Sequence, residues 1–211
     1  MATEIINIQS PGITEEKIRS LKMGDIVSIS GTIVTGRDVA HKYLEDNFIH
    51  NDNPPVEELK VLDELKKEMD GGIIYHCGPV VMKDDNGEYR FTAAGPTTSI
   101  REEPYEYDVI KLLNLRGVIG KGGMGPKTLK GCQDFGAVYL HAIGGAATYT
   151  AGKVKKVNAV LKPEFGTPEA FWVIEVENFE CIVTMDAHGK SLHETVLSDS
   201  KQIQNKYNEN R

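Results

Sequence analysis

One short segment of this chain combines hydroxyl and cationic side chains with glycine, and such groups bind carboxylates. The segment from Gly95 to Arg101 has the sequence GPTTSIR, which places Thr97 and Thr98 close to Arg101. An arginine guanidinium offers a carboxylate two parallel hydrogen bonds, and a threonine hydroxyl can donate another. The segment therefore indicates a carboxylate site, although an ordinary polar loop has a similar composition.

A glycine-rich segment, GKGGMG at residues 120–125, also has the composition of an anion site. It satisfies the dinucleotide pattern G-x-G-x-x-G, but no acidic residue follows at the distance of about 20 positions at which that site needs one. The phosphate-loop pattern fails because proline, not glycine, precedes the following lysine. What remains is a glycine loop with one cation, Lys121, and a helix start predicted at Pro126. This combination indicates either an anion site or a purely structural turn.

Arg37 is a third cationic candidate. It follows Gly36 after a β-like run and comes just before a helix-like run, where its positive charge opposes the helix dipole. Such an arginine either points into solvent or binds an anion, and both interpretations stay open from the residues alone.

The histidines and cysteines do not indicate a metal site. The six histidines lack the H-x-x-x-H and H-E-x-x-H spacings, so we interpret them as core or surface residues. Cys77, Cys132 and Cys181 are far apart and form no C-x-x-C pair, so neither a zinc site nor a self-contained iron–sulfur site is expected. We predict that this chain supplies no metal ligand and that its cysteines are buried small apolar residues.

Charge and hydropathy restrict the class of protein. The 211-residue chain has a formal net charge of −7, which argues against a nucleic-acid partner because duplexes attract basic faces. No apolar run approaches the ~18 residues of a membrane span, and the first residues lack the basic start of a signal peptide. An odd number of cysteines without a disulfide framework is typical of reducing compartments. We therefore expect a cytoplasmic protein that contacts no membrane.

Hydrophobic periodicity predicts the elements that must position these segments. Strands are predicted near residues 25–35, 73–76, 80–83, 89–93, 115–119, 137–141, 154–161, 171–176 and 181–185. Helices are predicted after Thr14, after Arg37, over 56–69, over 104–113 and from Pro126, with Thr14 and Asp38 as candidate caps. In the helix over 56–69, three leucines at 59, 62 and 65 are expected to share the buried face.

These elements mix without strict alternation, which predicts an α+β fold with a mixed sheet. We expect one domain over residues 1–211, with an N-terminal arm over residues 1–24 and a polar, frayed tail over residues 198–211.

Taken together, these segments resemble the smaller subunit, or the C-terminal domain of fused versions, of class I fumarate hydratases and L-tartrate dehydratases. GPTT followed by arginine and then by GKG is specific in combination, whereas each piece alone is weak. The matching positions are Gly24-Asp25, Ser30-Gly31, Arg37 to Lys42, Gly78-Pro79, Gly95 to Thr98, Arg101, Gly120 to Gly122, Ile143 to Gly145, Trp172, Glu175-Val176, Asp186 and Gly189.

The resemblance implies a layered β/β/α fold of the swivelling-domain type. It implies a larger alpha subunit that holds a [4Fe–4S] cluster, so that this chain is inactive alone and works in a hetero-oligomer. The implied reaction is the reversible hydration of fumarate to malate, a step of the tricarboxylic acid cycle. The alternatives are a subunit that acts on L-tartrate or a substituted fumarate and, more distantly, a non-catalytic assembly module.

The resemblance also implies roles for particular residues. It assigns contacts with a C4 dicarboxylate substrate to Arg37, Arg101, Lys121, Thr98 and Gly122. Thr97 matches a threonine proposed as the catalytic base of the family. The chain departs from the family's pattern at His76-Cys77 and at Ile100.

Overall fold

Strands and helices alternate irregularly through residues 4–209, which are the residues that the computed structural model describes. The strands are β1 (Ile5–Ser10), β2 (Ile26–Thr35), β3 (Ile73–Tyr75), β4 (Val80–Lys83), β5 (Tyr89–Ala93), β6 (Gly117–Gly120), β7 (Val138–His141), β8 (Val154–Leu161) and β9 (Phe171–Met185). The helices are α1 (Glu15–Ser20), α2 (Asp38–Leu44), α3 (Val56–Met69), α4 (Glu106–Leu112), α5 (Pro126–Phe135), α6 (Ala147–Ala151) and α7 (Leu192–Glu209). None of these described helices is both long enough and apolar enough to cross a bilayer.

Seven strands form one mixed sheet in the order β1-β2-β3-β6-β7-β9-β8, and β4 pairs with β5 in a separate hairpin. Strands β2, β3, β6 and β7 are parallel, whereas β9 is antiparallel to both β2 and β7. Because β9 pairs with the first and the last strand of that parallel run, the pairings close into a ring. The predicted α+β class with a mixed sheet is confirmed, and the swivelling-type description stays a prediction.

The ring has an apolar core on each face. Successive strand residues point to opposite faces, so neighbours such as Ile33 and Val34 belong to different cores. The second core also contains buried residues of the helices that cover it, among them Leu44, Leu65, Ile110 and Cys132. Helices α2, α3, α4 and α5 therefore pack on that face.

Most predicted elements are confirmed, and α3, β4, β5 and β8 have the predicted bounds. Thr14 caps α1 as expected, since its hydroxyl oxygen accepts the Lys17 N–H at 3.2 Å. The two strands predicted over 171–176 and 181–185 are one strand, β9. It continues through Asn178, at a φ of 52°, with a shift of register against β2.

The predictions for the two ends of the chain were incomplete. The predicted arm contains β1, which pairs in parallel with β2, and the predicted frayed tail forms most of α7. Residues 1–3 of that arm and 210–211 of that tail lie outside the described residues. Helix α6 was also missed, because a single turn of five residues has no periodicity to detect.

The expected common face of three leucines in α3 was wrong for one of them. Leu62 and Leu65 are 7% and 0% exposed, whereas Leu59 is 38% exposed. At 3.6 residues per turn, Leu59 lies about 120° around the helix from Leu65. The helix therefore packs through a narrower stripe than the sequence suggested.

We expect Leu65→Ala to lower the free energy of unfolding by roughly 2–5 kcal/mol, because it leaves a cavity in a fully buried position. Leu59→Ala, the same change in the same helix, should cost less than about 1 kcal/mol. Urea denaturation of both variants measures the difference. Equal losses would contradict the packing described for α3.

Candidate functional site

Two of the predicted site segments, and a segment that contacts the third, begin at the carboxyl ends of three neighbouring parallel strands. Arg37 comes two residues after β2, His76 directly after β3, and Lys121 directly after β6. The carboxyl ends of adjacent parallel strands lie along one edge of a sheet, where ligands commonly bind in α/β proteins. We call this the site edge. The three segments therefore start from one place in the fold.

The loop with the sequence GPTTSIR lies between the extensions of β3 and β6. The Thr97 N–H donates to the His76 carbonyl at 2.7 Å, and the Lys121 N–H donates to the Thr97 carbonyl at 3.3 Å. The Ser99 N–H in turn donates to the Lys121 carbonyl at 3.0 Å. Thr98 is bridged to Lys121 by these bonds, and its side chain is exposed. The main chain thus places the two predicted threonines beside the predicted lysine.

The two predicted arginines meet at one carboxylate. Arg101 Nη2 lies 2.5 Å from Asp38 Oδ2, and Arg37 Nη2 lies 3.5 Å from the same oxygen. Arg37 Nε also forms an ion pair with Glu169 Oε1 at 3.0 Å. A Cβ at Gly78 would lie 2.3 Å from Arg37 Nη1, so a larger residue there would displace this guanidinium. The cap predicted for Asp38 was wrong, because this carboxylate pairs with arginines and makes no capping hydrogen bond.

Lys121 differs from the arginines because no ion pair within residues 4–209 involves its ammonium group. Its Cδ lies 3.7 Å from where a Cβ of Gly144 would stand, so the side chain passes beside the predicted Ile143–Gly145 segment. The next residue, Gly122, which the resemblance also assigns to the substrate, is exposed at a φ of 80°. Of the three predicted cations, Lys121 is therefore the one without a carboxylate partner among the described residues.

The start of α5 is not an anion site, contrary to one interpretation of the glycine loop. The Glu103 carboxylate accepts the N–H groups of Gly125 and Lys127 at 2.7 and 2.8 Å. It also accepts the Thr128 hydroxyl at 2.6 Å. This side chain therefore satisfies the helix N-terminus that an external anion would need. The helix start is thus excluded from the predicted anion site, whereas the roles of Lys121 and Gly122 stay predictions.

A buried hydrogen-bonded network joins the site segments from below. Glu106 Oε2 lies 3.0 Å from His41 Nε2 and 3.0 Å from His76 Nε2. The second nitrogen of His41, Nδ1, lies 2.9 Å from the Arg37 carbonyl oxygen, and that of His76 lies 2.9 Å from Ser99 Oγ. Both imidazoles, Glu106 and Ser99 are fully buried.

Tyr139 completes the network, since its hydroxyl donates to Ser99 Oγ at 2.9 Å. We use the term buried network for His41, Glu106, His76, Ser99 and Tyr139. The serine is held tightly against β6: a Cβ on Gly120 would lie 1.7 Å from its Oγ, so no larger residue fits there.

The partners determine which atoms hold protons. A carbonyl oxygen and a carboxylate can only accept, so both nitrogens of His41 must donate and the ring is an imidazolium. His76 must donate from Nε2 to the carboxylate, which leaves Nδ1 of a neutral ring to accept the Ser99 hydroxyl. Ser99 in turn accepts from Tyr139. Every donor in this assignment faces an acceptor.

The electrostatics agree with that assignment. Burial alone would lower the pKa of His41, but attraction to the Glu106 carboxylate, the hydrogen bond to it and the charge of Glu102 raise that pKa to about 9. Burial lowers the pKa of His76 more than Glu106 raises it. Burial would raise the pKa of Glu106, but the two imidazoles and their hydrogen bonds hold it well below its ordinary value.

Glu102 is a second fully buried acid beside the network. Its Oε2 lies 3.8 Å from His41 Nδ1, and neither of its oxygens has a hydrogen-bond partner among the described residues. Burial raises the pKa of Glu102 to about 7, against a smaller lowering by His41. Near neutral pH this acid holds a proton for part of the time, which reduces the cost of a second buried carboxylate.

The ligand atoms of His41, His76 and Glu106 lie within 4.8 Å of one another, a spacing that suits a metal ion. Each facing nitrogen, however, already forms a hydrogen bond of normal length with the carboxylate. A structural zinc site has four protein ligands, and a catalytic one keeps a position open to substrate, whereas this fully buried triad offers three ligands and no opening. The protonated network accounts for the geometry without a metal.

The cysteines do not fit an iron–sulfur cluster. Cys77, Cys132 and Cys181 are buried free thiols, and Cys132 belongs to a different core from the other two. Burial raises the pKa of Cys77 to about 12 and also raises that of the other two thiols, which opposes the thiolate form that binds iron. They are core residues, as the sequence predicted.

Sequence reasoning missed the network although some signals were present. His76 interrupts the run IIYHC, and His41 interrupts VAHKYL, so each lies inside an apolar segment. A histidine in such a run needs a buried partner. Glu106 gave no comparable signal, because an acid near the start of a helix is ordinary.

Comparison with known proteins shows the family to which this chain belongs. The family model described as "Fumarase C-terminus" matches residues 2–196, and this chain belongs to that family. A Geobacillus stearothermophilus protein named "Putative fumarate hydratase class I" is 52% identical over 93% of this chain, which spans only 35% of that relative.

Two relatives of similar length have other names. The "Putative L(+)-tartrate dehydratase subunit beta" of Methanocaldococcus jannaschii is 41% identical over 93% of this chain and 94% of its own length. The "L(+)-tartrate dehydratase subunit beta" of Escherichia coli K12 is 34% identical over 85% of this chain and 83% of its own length. The family is thus shown, and its members have names that refer to two substrates.

The buried network predicts how stability depends on pH. The folded protein raises the pKa of His41 from 6.5 to about 9. The stability that the His41 proton contributes is therefore complete below pH 6.5 and is lost as the pH rises through about 9. Glu102, with its pKa raised to about 7, also lowers stability as the pH rises, but over a lower pH range. We expect the free energy of unfolding to fall by up to about 1.4 kcal/mol per pH unit between pH 7 and about 8.5, the pH at which the thiols of the unfolded chain begin to ionise.

Glu106→Gln removes the charge that holds the proton on His41, so this decline should become flatter in the variant, which should also be less stable by roughly 3–5 kcal/mol. The buried thiols titrate in both proteins and therefore cancel in the comparison. Urea denaturation at several pH values measures both slopes. Parallel slopes would show that Glu106 does not hold the proton on His41.

Proposed function

We propose that this chain is the beta subunit of a hydro-lyase that interconverts fumarate and malate together with a larger alpha subunit. The observation that supports this most directly is the common position of Arg37, Thr97, Arg101 and Lys121 at the site edge of a fumarase C-terminus chain. These residues come from three segments that the main-chain hydrogen bonds bring together.

The charges of the site edge favour a dicarboxylate and a second subunit. The three cations Arg37, Arg101 and Lys121 are opposed by two carboxylates, Asp38 and Glu169, which leaves one net positive charge. A C4 dicarboxylate has two negative charges. Further positive groups must therefore come from outside this chain, and we propose that the alpha subunit supplies them. For the same reason the chain should be inactive alone.

The chain's own residues would bind the substrate and move one proton. The guanidinium groups of Arg37 and Arg101 bind carboxylates through paired hydrogen bonds, and Lys121 adds a charge where the carbanion-like intermediate develops. Thr97 would accept the proton from carbon. A threonine hydroxyl is normally too weakly acidic for this role, so it depends on the positive charge of its neighbour Lys121.

The cofactor belongs to the proposal as well. A [4Fe–4S] cluster would act as a Lewis acid on the substrate hydroxyl group, and because the cysteines of this chain do not fit it, we propose that the alpha subunit holds it. Thr98 and Gly122, both exposed beside Lys121, would complete the substrate contacts.

L-Tartrate is the second candidate substrate. The relatives from M. jannaschii and E. coli that match this chain over most of their own length are both named for tartrate. Tartrate has two hydroxyl groups, so it needs more hydrogen-bond donors than malate, and some of these would lie in the alpha subunit. A non-catalytic assembly module is a more distant alternative. It would be favoured if the reconstituted pair turned over neither fumarate nor L-tartrate.

We expect Arg101→Ala and Lys121→Ala each to lower kcat/KM of the reconstituted pair by roughly 100- to 1,000-fold, because each removes a positive charge aimed at the substrate. Arg90→Ala, which removes an exposed arginine on β5, is the matched control and should leave kcat/KM unchanged. The assay is fumarate absorbance after anaerobic cluster reconstitution, with malate and L-tartrate as parallel substrates. Near-normal turnover of both site variants would reject the assigned pocket.

A further inference from the structure

We propose that the buried network positions the substrate-binding segments, so that Glu106 and Ser99 act on the reaction without touching the substrate. The catalytic part of this inference rests on the hydro-lyase function proposed above. The structural part, that the network holds the segments in place, depends only on contacts within this chain and has its own test.

Each end of the network contacts a different site segment. His41 donates to the carbonyl oxygen of Arg37, the residue whose guanidinium lies at the site edge. His76 contributes twice: its ring bonds Glu106 and Ser99, and its carbonyl accepts the Thr97 N–H. The segments after β2 and β3 and the GPTTSIR loop are thus connected through one carboxylate.

Ser99 extends this connection to the segment after β6. Its hydroxyl lies between His76 and Tyr139, and its N–H donates to the carbonyl of Lys121. The close approach of Gly120 leaves the serine little room to move. Loss of the hydroxyl would free residue 99 from His76 and Tyr139. Its main chain, which bonds Lys121 and continues to Thr97, would then be held less firmly.

Local secondary structure does not hold these segments alone. Strand β3 has three residues and β6 has four, and the GPTTSIR loop contains a single 3-10 turn. A misplacement of about 1 Å at a reacting group can lower the rate roughly 100-fold. Short strands and an irregular loop therefore need the additional side-chain bonds if the site is to keep its geometry.

A purely stabilising role explains the network less well. Buried ion pairs are costly to desolvate, and apolar residues of similar volume often stabilise a core as well or better. An acid shared by two imidazoles instead specifies direction and distance, because each of its bonds requires one orientation of each ring.

The test uses Ser99→Ala in the reconstituted two-subunit protein, because this change removes one hydroxyl and leaves the triad of His41, Glu106 and His76 intact. Ser10→Ala is the matched control: Ser10 is 1% exposed, and its hydroxyl has no hydrogen-bond partner in the described part of the chain. Glu106→Gln is the stronger variant, and its folding is checked by thermal unfolding. The measurements are kcat, KM and amide hydrogen exchange resolved by residue.

For Ser99→Ala we expect a fall in kcat of at least about tenfold, and the amides of Thr97 and Lys121 should exchange at least about tenfold faster than in the wild-type protein, because both belong to the segments that the serine holds. The amides of the β2–β9 ladder should exchange at the wild-type rate, and Ser10→Ala should match wild type in every measurement. Glu106→Gln also lowers global stability, so its ladder amides should exchange faster as well, and those of Thr97 and Lys121 should accelerate more than the ladder does.

Unchanged local exchange in both network variants would overturn the proposal. Exchange that increases equally throughout the chain would also overturn it, because a uniform increase indicates general destabilisation. Unchanged kcat with faster local exchange would also overturn the role in catalysis. If the wild-type pair acts on neither fumarate nor tartrate, the proposed function fails, whereas the exchange measurements still decide whether the network positions these segments.

Discussion

One buried carboxylate, that of Glu106, accepts a hydrogen bond from each of two imidazoles, and the arrangement of the site edge depends on it. Burial makes a charge costly, so the acid needs a cation within hydrogen-bond distance, and His41 provides it as an imidazolium. The second imidazole, His76, stays neutral because burial opposes another charge. The result is a network with fixed donor directions, in which a change at one residue alters the bonding of the others.

The fold assembles this network from elements that are far apart in the chain. His41 lies in α2, His76 follows β3, Glu106 begins α4 and Tyr139 lies in β7. The parallel strands bring their carboxyl ends to one edge, and the helices that cover the second core bring the histidine and the acid beneath it. The cations of the site edge thus lie above a buried layer of fixed hydrogen bonds. In the function proposed above, the cations would bind carboxylates and the buried layer would limit how far they can move.

The sequence predicted the elements with clear periodicity and missed contacts between distant residues. Apolar spacing predicted the observed bounds of α3 and β8, and the turn sequence DDNG marked the hairpin of β4 and β5. The role of Arg37, Thr97 and Lys121 as one site stays a prediction from the family motifs. Adjacent parallel strands explain why the segments of Arg37 and Lys121 start at one edge of the sheet. The buried network could not be predicted from the sequence, since Glu106 lies 65 residues from His41 and 30 from His76 and no local pattern connects them. The hydrogen bonds of Glu103 to the N-terminus of α5 were equally unpredictable, because Glu103 belongs to another segment of the chain.

Nitrogen-15 NMR of the imidazole rings tests the central claim most directly, since it reports the protons on each ring nitrogen. At about pH 7.5, His41 should show two protonated nitrogens that both donate hydrogen bonds, and His76 should show a protonated Nε2 and a bare Nδ1. Replacing Glu106 by glutamine should convert His41 to a neutral ring at the same pH. A neutral His41 in the wild-type protein would contradict the account, because the shared carboxylate would then have no cation beside it.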